Sequence, residues 1–247
     1  MKQLQIAVLS DIHGNSWAFR EVLSDIKSRG IESIINLGDS LYGPLDPNGT
    51  FKLLAENNVI SISGNQDRII LENLDTNSDI PTLEYVKSQL DTDAQDWLKN
   101  LPFDLVHENE VYCCHASPEN DSEYLLEYLQ ADHIAVKDGL QLDEVLKEIH
   151  QKIVVCGHSH LSRVVETENY LIINPGSVGL PAYDDELPIP HKMESFSPMA
   201  RYCIVKMENG EAVVDQIAVS YDFEEAASTA EKNDRKDWAR WIRMGRV

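Results

Sequence analysis

The chain has 247 residues, 43% of them hydrophobic, and a formal net charge of −21; that length and apolar content suit one compact α/β domain with a sizeable core. So acidic a balance argues against duplex nucleic acid as a partner, which requires a basic face to displace counterions from phosphates. No run approaches 18 apolar residues, and residues 1–10 lack a basic start and a small-residue cleavage site, so neither membrane spanning nor export is expected.

The elements begin as β-α-β: a strand over 4–9, a helix from Ser16 to about Arg29 and a strand over 33–37. In that helix Phe19, Val22, Leu23 and Ile26 share a face, Asn15 can cap it and Gly30 can end it. Asp46 followed by Pro47 marks the start of a second helix, with Phe51, Leu53 and Leu54 on its apolar side, before a strand over 59–63. Residues 68–109 read as a polar helical insertion with Leu83, Val86, Leu90, Trp97, Leu98 and Leu101 inward. A strand over 111–114 follows, then a second helical insertion over about 119–150, with helices predicted at 123–130 and 142–150, and a strand over 153–156. These insertions either shape a substrate mouth or form an outer helix layer.

Beyond residue 162 the chain reads β, with strands over 163–167, 170–173, 201–207 and 212–219 and hairpin turns at Glu168-Asn169 and Asn209-Gly210. They are expected to build a second sheet. Residues 181–200 carry Pro181, Pro188, Pro190 and Pro198 and are expected to be irregular. Long loops in compact domains are often functional, which makes Tyr183, His191 and Arg201 candidates for contact with the distal part of a substrate. The extension 222–247 places Trp238, Trp241, Ile242 and Gly245 on one helical face, and Lys232, Arg235, Lys236, Arg240, Arg243 and Arg246 outnumber Glu231, Asp234 and Asp237. A docked terminal helix is the first reading; an oligomer contact or a basic guide toward substrate phosphates is the second.

Chemistry concentrates in five motifs that follow or end apolar strands: Asp11-x-His13, Gly38-Asp39, Gly64-Asn65-x-Asp67, His115 and Gly157-His158-x-His160. Ligand-type residues at successive strand ends converge on one rim of a sheet. Mixed carboxylate, amide and imidazole donors favour later first-row metals over Ca or Mg. Two such ions roughly 3.5–4 Å apart can clamp a phosphoryl group and lower the pKa of water. Cys113, Cys114, Cys156 and Cys203 form no C-x-x-C pair, and three of them read as small apolar residues in buried strands; unpaired cysteines, with the missing leader, point to the cytoplasm.

Over residues 1–219 this set resembles the calcineurin-like metallophosphoesterases, and more narrowly their small bacterial phosphodiesterase-type branch. The resemblance implies a four-layer αββα sandwich of two mixed sheets flanked by helices. It further implies one metal on Asp11, His13 and His160, a second on Asn65, His115 and His158, and Asp39 bridging both. Mn is the first expectation, with Fe, Co, Ni or Zn as alternatives. A metal-bound hydroxide would attack in line, with Asp39, Asn65 and His115 in the catalytic set and Asn15 helping Asn65 hold phosphate oxygens. Asn174-Pro175-Gly176-Ser177-Val178 matches a loop found beside such ligands and is read as a structural turn.

One departure bears on substrate. Where many members carry a His able to protonate a leaving alkoxide, held by the Asp at the position of Asp67, this chain has Gln66, which cannot titrate. A phosphate leaving group, with a second pKa of about 6, needs no such acid. Small phosphorylated substrates with good leaving groups are therefore expected: activated diesters and anhydrides, including dinucleoside polyphosphates, with Gln66 and Arg68 as further contacts. Alternatives are a phosphomonoesterase or protein phosphatase of the same fold, or a non-catalytic binding scaffold. Scaffolds of this fold lose ligands, whereas all seven are present here.

Overall fold

The computed structural model describes residues 4–130 and 133–247. Its first half runs β1 (Gln5–Leu9), α1 (Ser16–Ser28), β2 (Ser33–Asn36), α2 (Pro47–Glu56), β3 (Ile60–Ser61), α3 (Asn65–Glu72), α4 (Pro81–Gln89), α5 (Thr92–Lys99), β4 (Asp104–His107) and β5 (Val111–Cys114). The second runs β6 (Glu127–Leu129), β7 (Ile134–Val136), α6 (Gly139–Val145), β8 (Ile153–Val155), β9 (Arg163–Glu166), β10 (Leu171–Asn174), β11 (Ala182–Asp185), β12 (His191–Glu194), β13 (Ala200–Glu208), β14 (Glu211–Val219), α7 (Phe223–Lys232) and α8 (Lys236–Met244).

Side-chain alternation along the strands generates the layers. Ile6 and Val8 of β1 point into an apolar seam with Ile35, Leu37 and Ile62, which meets Val111, Cys113, Val155 and Ile173 of the other sheet. Ala7 and Leu9 point the opposite way, to Phe19, Val22 and Ile26 of α1 and to Trp238 and Ile242 of α8. On the far side Tyr112, Cys114 and Val154 pack against Leu142 and Leu146. Two mixed five-stranded sheets, β14-β13-β1-β2-β3 and β4-β5-β8-β10-β9, thus lie face to face with helices outside, the expected αββα arrangement.

Helix starts follow the local sequence. The Asn15 side chain accepts from Ala18 N at the head of α1, and Asp46 accepts from Gly49 N at the head of α2, with Pro47 at N1. Asn209 and Gly210 have φ of 53° and 88°, as a two-residue hairpin turn between Glu208 and Glu211 requires.

Three expectations change. The last two long strands do not join the second sheet: β13 pairs antiparallel with β1, Val8 opposite Cys203, and carries β14 to the first sheet's edge. Their own sequence determines the hairpin but not the strand it lies beside. Residues 123–130 are not helical; β6 pairs with β7, because Tyr124, Leu125, Leu126 and Glu127 are all buried in succession, which a helix with one apolar face cannot provide. The 181–200 segment is not irregular either, since β11 and β12 form a hairpin. Pro188 and Pro190 fall in its connection and Pro181 and Pro198 outside its strands, so none removes a ladder donor.

Candidate metal centre

The seven ligand-type residues converge as two clusters at the ends of β1, β2, β3, β5 and β8, strands drawn from both sheets. Asp11, His13 and His160 form one and Asp39, His115 and His158 the other, with ligand atoms within 4.8 Å of one another in each; Asn65 joins the second, its Oδ1 3.0 Å from His115 Nε2. The chain must turn abruptly to aim these side chains. Asp11, His13, Asp39, His158 and His160 all have φ between 52° and 66°, a left-handed conformation that costs energy outside glycine and clusters at functional sites. Gly38 (φ 101°) and Gly64 touch where the loops after β2 and β3 meet: a Cβ on Gly38 would lie 2.4 Å from Gly64 N, and one on Gly64 would lie 2.2 Å from Asp39 Oδ1.

Backbone carbonyls fix the ring tautomers. His13 Nδ1 donates to Tyr42 O (3.0 Å), His115 Nδ1 to Leu37 O (2.8 Å) and His160 Nδ1 to Leu180 O (2.6 Å), which turns each Nε2 inward as the ring's free ligand atom. His158 is turned the other way; its Nε2 donates to Ser122 O (3.2 Å) and its Nδ1 is left as the acceptor. His13 Nε2 and His160 Nε2 then face each other at 3.1 Å. Asp11 Oδ1 lies 3.4 Å from His160 Nε2, buried and without a hydrogen-bond partner, while Asp11 Oδ2 accepts from His158 N. Lone pairs this close repel unless a cation or proton stands between them. The donor set fits a metal ion.

Burial works against charge throughout the cluster. It pushes Asp39 up to about 7, with Asp11 and Asp67 adding to the rise against the pull of His115. It also brings His13 and His158 down to about 3, helped by the neighbouring imidazoles. Asp11, despite burial, is held below the usual carboxylate range by His160 and the other histidines, and Asp39 and Asp11 raise His115. His13 and His158 are thus held neutral, the state that metal binding needs, whereas Asp39 and His115 tend to keep protons that a bound cation would displace.

A calcineurin-like phosphoesterase superfamily domain model matches residues 4–190. The chain belongs to that superfamily. It is 29% identical over 261 residues to an uncharacterized protein of Methanocaldococcus jannaschii, covering 96% of each. The solved metallophosphoesterase from Sphaerobacter thermophilus matches 96% of this chain and 99% of its own at 20% identity, TM-score 0.72. A hypothetical protein from Pyrococcus horikoshii OT3 matches 98% of both chains at 20% identity, TM-score 0.72. All of the superfamily-type ligand motifs lie inside the matched span.

A cavity of about 200 Å³ opens on the ligands, and its wall includes Gln66 and Tyr183. The other residues that the sequence put forward as substrate contacts are engaged elsewhere, for reasons visible in their surroundings. Asn15, expected to help hold phosphate, is fully buried; its Oδ1 caps α1 and its Nδ2 donates to Gly179 O (2.9 Å) and Tyr221 Oη (3.2 Å). The Arg68 guanidinium grips Asp121 through Nε (2.6 Å) and Nη2 (3.0 Å), outside the cavity wall. Arg201 sits on β13 with its stem against Gly176, and His191 faces a separate cavity behind the β11–β12 hairpin. Asp67 holds backbone and not residue 66: its carboxylate accepts from Ser40 N (3.0 Å) and Gly64 N (3.1 Å), tying the Asp39 loop to the Asn65 turn.

The Asn174–Val178 loop acts as a brace. Asn174 Nδ2 donates to Gly157 O (2.7 Å) and Ser177 Oγ to Asp11 O (2.8 Å), joining two ligand loops. Tyr183 and Trp238 were named from the sequence, though not as neighbours of the ligands, and Tyr124 was not named. Tyr124 stacks on His158 (4.7 Å, 25°), Tyr183 meets His160 edge-on (4.6 Å) and Trp238 meets His13 edge-on (5.7 Å). No spacing in the chain relates these residues to the ligands they touch.

Proposed function

We propose that this protein is a metal-dependent hydrolase of phosphodiester or phosphoanhydride bonds in nucleotides, dinucleoside polyphosphates among them, with two first-row transition ions, manganese foremost. The observation that carries this reading is the pair of clusters of converging carboxylate and imidazole donors, with the orphaned Asp11 Oδ1 in one of them. Asp11, His13 and His160 would hold one ion and Asn65, His115 and His158 the other, with Asp39 placed to serve both. Such ions supply positive charge for phosphoryl oxygens and lower the pKa of water.

The residues themselves define the rest. Asn65 presents its amide oxygen to the cluster and retains an amide nitrogen to donate to a phosphate oxygen. Gln66 lines the cavity with a side chain that has no titrating proton. Tyr183 Oη donates to His158 O (3.1 Å), and burial keeps its phenol protonated. Leaving groups that depart as stable anions suit this wall best, which favours anhydrides and aryl diesters over alkyl monoesters.

The test is a panel of phosphomonoesters, phosphodiesters and dinucleoside polyphosphates with Mn. Anhydrides and acidic-phenol diesters should be cleaved fastest, and Gln66→His should raise alkyl monoester turnover selectively, toward the roughly 10²–10⁴-fold that general-acid help typically contributes. If wild-type enzyme cleaves alkyl monoesters as readily as polyphosphates and Gln66→His changes neither, the leaving-group reading is wrong.

A further inference from the structure

The cavity that opens on the ligands is lined by groups of unlike charge. Asp184 and Asp185 come from β11, Arg235 is the N-cap residue of α8, and Trp238 comes from that helix. Of the lysines and arginines of the C-terminal extension, Arg235 alone lines this cavity among the described residues. Arg243 is tied outside to Glu224 (2.9 Å) and Glu231 (2.5 Å), and Arg246 lies over Phe196. Both the tryptophan and the arginine lie beyond residues 4–190, the span the superfamily model matches.

The position of Arg235 is fixed from several sides. Its Nε and Nη2 donate to Asp237 (2.9 and 2.6 Å), its Nη1 donates to Thr82 Oγ1, and the guanidinium lies 5.4 Å from the centre of the Trp238 ring. Trp238 in turn packs edge-on against the ligand-type His13 at 5.7 Å. The guanidinium therefore stands one indole away from the metal cluster. A guanidinium has five N–H donors, and these contacts use three, so one N–H remains on each of Nη1 and Nη2 of a residue that lines the cavity. Two donors on one planar group suit a phosphate.

We infer that Arg235 binds a second anionic group of the substrate, a phosphate adjacent to the one at the metal cluster, so that the C-terminal helix selects polyphosphates over singly charged esters. The inference rests on the phosphoesterase reading above and narrows its substrate class. A phosphate at the ligand cluster would take its charge compensation from ions held there; a second phosphate beside it has Arg235 as the cation lining this cavity, while Asp184 and Asp185 would repel it. Their carboxylates are suited instead to accept hydrogen bonds from hydroxyl groups.

Calorimetric titration of Mn-loaded protein, with Mn in excess, separates the possibilities, using pyrophosphate and orthophosphate as probes. Wild-type protein should bind pyrophosphate more tightly, and Arg235→Ala should remove roughly 10- to 100-fold of that preference, the effect of one charge-assisted contact. Arg235→Lys, which keeps the charge but loses the fork, should restore part of it and also serves if the alanine variant does not fold. Equal affinity of wild type for the two probes, or equal weakening of both by either variant, or no change in either, would overturn the inference. Turnover of the ester panel by wild type is scored separately: if no phosphate ester is cleaved, it is the proposed activity that fails, whatever the titration shows.

Discussion

The rim that carries the ligands and the wall that faces it are built differently. On the rim, backbone geometry does the positioning. Asp11, His13, Asp39, His158 and His160 take left-handed conformations, and His13, His115 and His160 each brace one ring nitrogen on a carbonyl. The wall is assembled from remote segments, the β11 side of a hairpin and the start of α8, and acts through side chains such as Asp184, Arg235 and Trp238. A rim of this kind tolerates little change, because each ligand's aim depends on left-handed turns that most residues adopt only at a cost. A wall of independent side chains can vary in substrate preference while the chemistry beneath it is kept.

The sharpest way to break that contrast is at the rim. Asp39→Ala should abolish turnover and lower metal stoichiometry below two while circular dichroism stays native, because it removes charge the ions need. Retained activity would show that the rim is not the chemical centre. Asp67→Ala should come next, since it leaves the buried Ser40 and Gly64 N–H groups without an acceptor. A stability loss of about 2–3 kcal/mol, read by urea unfolding, should come with weaker metal binding.

Acidity tests the rim more gently. With Asp39 raised from 3.8 to about 7, its contribution to the stability of the metal-free fold is complete below about pH 4 and is lost as pH rises through about 7, where ionisation is opposed by burial. Metal binding requires the ionised form, so below about pH 7 loading the site displaces the one Asp39 proton and overall affinity should fall roughly tenfold per pH unit. Mn should accordingly raise Tm more at about pH 8 than at about pH 6; an equal rise at both would show that Asp39 is not the proton that metal displaces. Tyr124→Phe, behind the wall, should have the smallest effect. It removes the hydroxyl that bridges Tyr183 and His191 (2.8 Å to each) but keeps the ring on His158, so stability should drop by about 1 kcal/mol with both ions still bound. Loss of an ion would mean that the hydroxyl, and not the ring, positions His158.

Much of the rim was legible in the sequence because its information is local. A short apolar run followed by Asp-x-His or Gly-Asp names both the strand and the side chain at its end, and Asp46-Pro47 or Asn209-Gly210 names a cap or a turn through chemistry confined to a few residues. Asn15 shows the reach of that locality. Its place before the apolar face named it as the N-cap of α1, which it is, whereas the phosphate contact came only from the family resemblance; closure of the fold brings Gly179 O and Tyr221 Oη to its remaining donor. The 123–130 segment shows its limit: tyrosines and leucines at helical spacing suit a helix until tertiary burial of consecutive residues favours a hairpin.

The sequence by itself determined the strand ends, the helix caps, the ligand types and the absence of a titrating group at Gln66, because each depends on the backbone preference or the functional group of one residue and its near neighbours. Tertiary structure alone decided that β13 would lie against β1, that ligands from two sheets would meet, that Tyr124 and Trp238 would pack on His158 and His13, and that Arg235 would enter the same cavity. Those outcomes follow from which apolar faces bury one another, and burial is nondirectional; no short stretch of chain carries the identity of its distant partner.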